Sequence, residues 1–373
     1  MRQKTLIALA AVTVPVLLAA IFVPAPGGNA SKPAEAGPVF PTLKDWLGKA
    51  TKLTITSADG TINLVRQPAP ADAKPAADGV PATGWTLADK GGYPVQESVV
   101  RQLLAGMLKL RETEPKTERA KLYGRLDLTD PSADKAAKGH LIELADANGA
   151  SIVKLIVGRR KYDPSGTGVD SIYVRKPDEA RSWSAVPAFD VPSEATSWID
   201  RKILDVEPDK IQSVTLTETG GKPLVLTREK AADKLDIKDL PKDAKLKGDN
   251  PGSELAAGFR FLDLLDVRPA AQVTAVAAST VELTTFDGLD VSIAIAEQDG
   301  AGWLKITAKG TGDAAKIADE IAKRTQGWAY KVPETREKTL ETKLADLVQP
   351  PPAAPAPAPT AAATPPAKGR KGN

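Results

Sequence analysis

His140 is the only histidine in this 373-residue chain, and there is no cysteine. That excludes thiolate nucleophiles, disulfides and any multi-histidine metal site, and leaves one imidazole for acid–base chemistry. A Ser-His-Asp triad would have to recruit His140, yet no Gly-x-Ser-x-Gly elbow is present to offer the serine. His140 follows Lys138-Gly139 where a strand pattern begins, which is the setting of a surface or edge histidine. Two glycine loops, Gly166-Thr-Gly168 and Gly310-Thr-Gly312, lack the preceding strand, the glycine spacing and the lysine of a phosphate cradle. The 47 Asp and Glu are interspersed with 50 Lys and Arg, so no carboxylate pair stands out for acid–base work, and no Asp-rich calcium loop is visible. No catalytic, cofactor-binding or metal-ligating residue is therefore assigned, and the chain is expected not to be an enzyme. The tryptophans Trp46, Trp85, Trp183, Trp198, Trp303 and Trp328 offer either a stacking surface for a sugar polymer or core packing, and the core reading is preferred.

The net charge of +3 becomes −2 once five terminal cations are set aside, Arg2, Lys4, Lys368, Arg370 and Lys371. A body of that charge lacks the clustered positive field that phosphate backbones require, so nucleic acid is not an expected partner. Arg159-Arg-Lys161 is too short to change this and reads as a solvated turn.

The elements that would position any site follow from periodicity. Val99, Val100, Leu103, Leu104, Met107 and Leu108 recur at helical spacing within Gln96–Leu110. Behind it, His140–Asp146 and Ser151–Gly158 read as a hairpin with Asn148-Gly149 at the tip, and Ser171–Arg175 extends the sheet. Ahead of it lie a hairpin of Lys52–Thr56 and Ile62–Val65 around Asp59-Gly60, and a short strand at Gly84–Leu87.

A similar order recurs after a short helical piece at Thr196–Leu204. Ile211–Thr217 and Pro223–Thr227 match the first hairpin, and Leu235–Ile237 the short strand. Ser253–Val267 matches the helix, Val281–Phe286 and Val291–Ile295 the His140 hairpin, and Trp303–Thr307 the third strand. Ala314–Val348 closes as a helical region holding Trp328. Hairpins alternating with helices imply an α+β fold of internally duplicated antiparallel sheet units, each covered by helices.

The apolar run Leu6–Val23 after Met1-Arg-Gln-Lys4 has the pattern of one transmembrane helix with its N-terminus in the cytoplasm. An uncleaved anchor is preferred to a cleavable signal peptide, although Gly28-Asn-Ala30 offers a small-residue cleavage site. The expected divisions are anchor 1–23, Pro/Gly/Ala linker 24–39, α+β units 40–206 and 207–348, and a disordered Pro/Ala-rich tail 349–373. The body would then sit in the bacterial periplasm, tied to the inner membrane.

Together, Gly84-Trp-Thr-Leu87, the Val99-Val-x-x-Leu-Leu104 helix, Tyr123-Gly-Arg-Leu-Asp-Leu-Thr-Asp-Pro131, Glu143-Leu-Ala-Asp-Ala-Asn-Gly149, Leu155-Ile-Val-Gly158, Ile172-Tyr-Val174, Ser197–Leu204 and Gly327-Trp-Ala-Tyr-Lys-Val332 resemble the family of domains of unknown function numbered 4340, DUF4340. Asp127 stands where that pattern more often has glycine. The resemblance implies a bacterial envelope protein, some of whose relatives accompany an ABC transport system of the gliding-motility type, and it brings no catalytic residues. The expectation is a non-catalytic periplasmic binding or scaffolding component whose partners are membrane proteins, ABC transporter components among them. The alternatives are a cell-wall or polysaccharide-binding module and, last, a carboxylate-based hydrolase.

Overall fold

The computed structural model describes residues 37–67, 79–163, 166 and 168–349, and the chain divides into two compact units between Asp200 and Arg201. The expected membrane segment, most of the linker and the tail from residue 350 lie outside the described residues. Among the described residues no helix is long and apolar enough to cross a membrane. The division falls ahead of the 206/207 boundary expected from sequence because Lys202–Leu204 pairs with Leu262–Asp263 inside the second unit. The chain is mostly antiparallel sheet with a few helices, the α+β arrangement that hairpin connections impose.

In the first unit, α1 (Leu43–Trp46) precedes β1 (Lys52–Ser57), β2 (Gly60–Arg66), β3 (Trp85–Leu87) and β4 (Tyr93–Pro94). Then come α2 (Glu97–Lys109), β5 (Arg111–Pro115), β6 (His140–Ala145), β7 (Ser151–Lys161), β8 (Ser171–Arg175) and β9 (Ser182–Val186). The strands hydrogen-bond in the order β4-β3-β2-β1-β6-β7-β8-β9-β5. The β6–β7 turn forms because Asp146 Oδ1 accepts from Asn148 N and Ala150 N, both at 2.9 Å, as a short acidic side chain does in an Asx turn. Helix α2 buries Val100, Leu103, Leu104 and Met107, and Gly106 lets Phe189 lie against its backbone, where a Cβ would stand 2.7 Å from Phe189 Cβ. Strands β5 and β9 escape the alternation rule. In β9 the inward positions include Ser182 and Ser184, and Ser182 is satisfied by donating to Thr117 O (2.8 Å) and accepting from Thr117 N (3.0 Å). The outer edge of β5 pairs with Gly37–Val39, Glu112 N donating to Gly37 O and Val39 N to Leu110 O, each at 2.9 Å.

The second unit contains β10 (Lys202–Leu204), β11 (Ile211–Glu218), β12 (Leu224–Thr227), β13 (Asp236–Ile237), α3 (Pro251–Ala257), β14 (Leu262–Asp263), β15 (Asp266–Pro269), β16 (Ser279–Thr285), β17 (Leu289–Gln298) and β18 (Ala301–Gly310). It closes with α4 (Ala314–Thr325), β19 (Trp328–Lys331), α5 (Glu334–Leu340) and α6 (Leu344–Leu347). Its main sheet runs β13-β12-β11-β16-β17-β18-β19-β15. This is the order β3-β2-β1-β6-β7-β8-β9-β5 of the first unit, strand for strand. Each unit buries its own apolar residues; Val273, Ala296, Trp303 and Ala329 form one cluster of the second core.

Three expected helices are corrected. The Ser253–Val267 helix ends at Ala257, because the chain turns at Gly258, whose Cα approaches Thr339 too closely for a Cβ, and Phe261 takes a positive φ of 50°. Leu262 and Val267 are strand residues. The Ala314–Val348 region is broken at Gly327 (φ 83°), so Trp328 lies on β19. Thr196–Leu204 is a 3₁₀ turn over Ala195–Trp198 followed by β10.

Candidate functional site

His140 opens β6 half-buried, and burial holds its pKa below the ordinary value, with the Asp59 carboxylate offsetting part of the effect. The imidazole is therefore neutral at pH 7. Ser57, at the end of the neighbouring strand, is committed to its own turn: Oγ donates to Gly60 O (3.4 Å) and accepts from Asp59 N (3.2 Å). No serine–histidine hydrogen bond is formed there, so the arrangement lacks the first link of a triad.

The glycine loops are packing devices. At Gly310-Thr-Gly312, Thr311 N donates to Gly288 O (3.1 Å) and Ala314 N to Thr311 O (3.1 Å), so amides that would face a phosphate already serve protein carbonyls. Around Gly166 and Gly168 the loop closes on Asp163, whose carboxylate accepts from Gly168 N (2.6 Å) and would repel an anion; Thr167 lies outside the described residues.

Trp85, Trp198 and Trp303 are buried. Trp85 Nε1 donates to Pro81 O (2.7 Å), Trp198 Nε1 to Pro192 O (3.2 Å), and the Arg268 guanidinium lies 3.6 Å from the Trp303 ring centroid. Trp183 and Trp328 are half-buried, and Trp46 is exposed. The large exposed aromatics Trp46, Tyr162, Phe261 and Phe286 all lie outside strands, so they form no row along a sheet face.

The Tyr123–Pro131 segment is a structural lock. Tyr123 is buried, its hydroxyl donates to Ala180 O (2.5 Å), and the buried Arg175 guanidinium sits 4.4 Å from its ring centroid. Arg175 Nη1 donates to the carbonyls of Lys176, Pro177 and Glu179 at 3.4, 3.1 and 3.4 Å. The carbonyls of Leu126 and Asp127 press on Gly158 and Gly139, leaving no room for a Cβ at either. Asp127 itself has φ 57°, the left-handed backbone for which glycine is the least costly residue.

A half-open cleft of about 910 Å³ lies in the second unit, at one end of its sheet. Leu216, Leu224, Ile237, Leu340 and Leu344 supply apolar lining, with Lys222, Lys238, Glu218, Glu297 and Glu341 among its charged groups. One wall is residues 340–344, fastened by Lys343 Nζ to Glu218 Oε1 (2.9 Å) and by Ser279 Oγ donating to Glu341 Oε1 (3.3 Å). Beside it, Glu337 is half-buried against Gly302. Burial raises its pKa, and the Glu341 and Glu297 charges raise it further. Among the described residues no group of three or more acidic or histidine side chains is placed to hold a metal ion. This acidic cluster was not expected from the sequence, although Glu334, Glu337 and Glu341 at i, i+3 and i+7 share one helical face.

The sign of the Glu337 effect is testable. Its folded-state pKa is raised, so the unfolded chain loses the proton first as pH rises past the ordinary glutamate value, and the fold loses stability through that window. Glu337→Gln removes the penalty while keeping an acceptor for the Gly302 amide. Urea unfolding is expected to show a more stable second unit at pH 7 and no difference from wild type well below the ordinary glutamate pKa. A less stable variant at pH 7 contradicts this.

What fold and site define together is a two-unit antiparallel α+β protein with an open cleft in its second unit. The model of the family described as Domain of unknown function (DUF4340) matches residues 85–287, more than half of the chain. The chain belongs to this family, and the match runs from β3 of the first unit to the end of β16 in the second. No curated protein matches it.

Proposed function

We propose that this protein is a membrane-tethered, periplasmic, non-catalytic component that binds and organises partner proteins through its duplicated units. The matching strand orders support the reading of duplication. An exported location rests on the charge and hydropathy of residues 1–23, and the link to an ABC-type transport or envelope-assembly system rests on the family resemblance. The observation that carries the binding role is the cleft. Its apolar floor and rim of both signs suit an extended polypeptide segment, and its carboxylates Glu218 and Glu341 are engaged by Lys343 and Ser279 in fastening the 340–344 wall.

Co-purification from membranes with the full-length chain tests this. Val225→Trp places a large ring in the cleft at a half-buried position and is expected to reduce recovery of cleft-dependent partners about tenfold, a loss of about 1.4 kcal/mol. An unchanged set of partners at unchanged yield would remove the cleft from the account.

A further inference from the structure

Trp46 differs from the other tryptophans in being exposed, and no acceptor among the described residues meets its indole N–H. Helix α1 places it there. Leu43 and Leu47 turn into the core, which forces Trp46 outward. Around it the surface is basic. Lys49 Nζ lies 4.3 Å from the ring centroid, Lys44 and Lys52 are exposed, and Arg66 Nη1 reaches Gly48 O at 3.3 Å. Asp45 is the one carboxylate between Leu43 and Lys52. An amphipathic aromatic ring flanked by cations is the side-chain combination that settles at a phospholipid headgroup layer.

The chain's own geometry supplies the partner. Gly37–Val39 is pinned to the edge of β5 in the same unit, so the point at which the folded body takes over from the linker is fixed. Only residues 24–36 separate it from the apolar run, a stretch that spans at most about 45 Å at full extension. Trp46 follows nine positions after Gly37. We propose that the face carrying Trp46 and Lys49, with Arg66 at Gly48 beside it, rests on phospholipid headgroups, with the Trp46 ring at headgroup depth, so that the first unit lies against the bilayer that its linker leaves. This rests on the membrane-anchor reading of Leu6–Val23.

Full-length protein reconstituted into vesicles of brominated phosphatidylglycerol and phosphatidylcholine tests both ideas separately. No tryptophan precedes Trp46, so the anchor contributes no tryptophan signal, and the others are buried or half-buried in the body. The expected result is flotation of the chain with the vesicles and bromine quenching of tryptophan emission, most of which is lost in Trp46→Phe. Flotation with no quenching, or with quenching that Trp46→Phe leaves intact, overturns the proposal and leaves the anchor standing. Failure of the full-length chain to float rejects the anchor, and the proposal with it.

Discussion

Gly139→Ala is expected to lower the unfolding midpoint of the first unit by roughly 4–12 °C, the equivalent of about 2–3 kcal/mol in a domain of this size. The cause is steric. A Cβ at Gly139 would run into Asp127 O and come 3.0 Å from Val157 O, both backbone atoms. Neither can swing aside as a side-chain tip does. Asp127 is held at φ 57° with Leu128 N donating to Tyr123 O (3.0 Å), and Val157 is paired with Val174. Relief therefore requires the Tyr123–Leu128 turn to lift away from β6 and β7, exposing Leu128 and Tyr123. Gly48→Ala is the matched control, since its Cβ would meet nothing within 4 Å and its φ is ordinary. Differential scanning calorimetry of the full chain should show the first transition shifted by Gly139→Ala and unmoved or slightly raised by Gly48→Ala. Equal midpoints for wild type and Gly139→Ala would mean that the turn does not clamp the sheet.

The second large effect is expected at Arg175. Its guanidinium is buried without a carboxylate partner and is balanced by the carbonyls of Leu128, Lys176, Pro177 and Glu179 and by the Tyr123 face. Arg175→Ala removes the donor to four carbonyls and the stacked plane at once, so a loss of about 3 kcal/mol is expected. Arg175→Met restores volume without charge and should recover part of the loss, as apolar replacements of buried ions often do. Denaturant unfolding of the three proteins measures the ranking wild type, Met, Ala. An alanine variant as stable as wild type would show that the Tyr123–Pro131 segment does not depend on the arginine.

The hairpins were legible because each sets two apolar-rich runs about a turn residue pair, as at Asn148-Gly149, where Asp146 completes the turn. Helix α2 was legible because Val100, Leu103, Leu104 and Met107 fall on one face. The failures have physical causes. Strand β9 buries Ser182 and Ser184, so its inward positions read as polar. Leu255, Phe259 and Leu262 keep helical spacing through a segment that leaves the helix at Gly258, where packing on Thr339 overrides the pattern. The cleft was illegible because its walls, residues 216–225, 237–241 and 340–344, are brought together only by the sheet order. Asp127 was visible as a departure from glycine, and its left-handed backbone accounts for why glycine suits that turn.

Complementation of a deletion strain separates the proposed action, binding at the membrane, from catalysis. Three chains are compared at equal abundance: His140→Ala, Glu337→Gln, and a form exported by a cleavable signal in place of residues 1–23. Loss of a general base costs about 10²–10⁴-fold in rate, whereas loss of an anchor removes the high effective concentration that a shared membrane gives. Both side-chain variants are expected to complement, and the anchor-free form is expected to fail. Full complementation by the anchor-free form, with failure of either His140→Ala or Glu337→Gln, would contradict it.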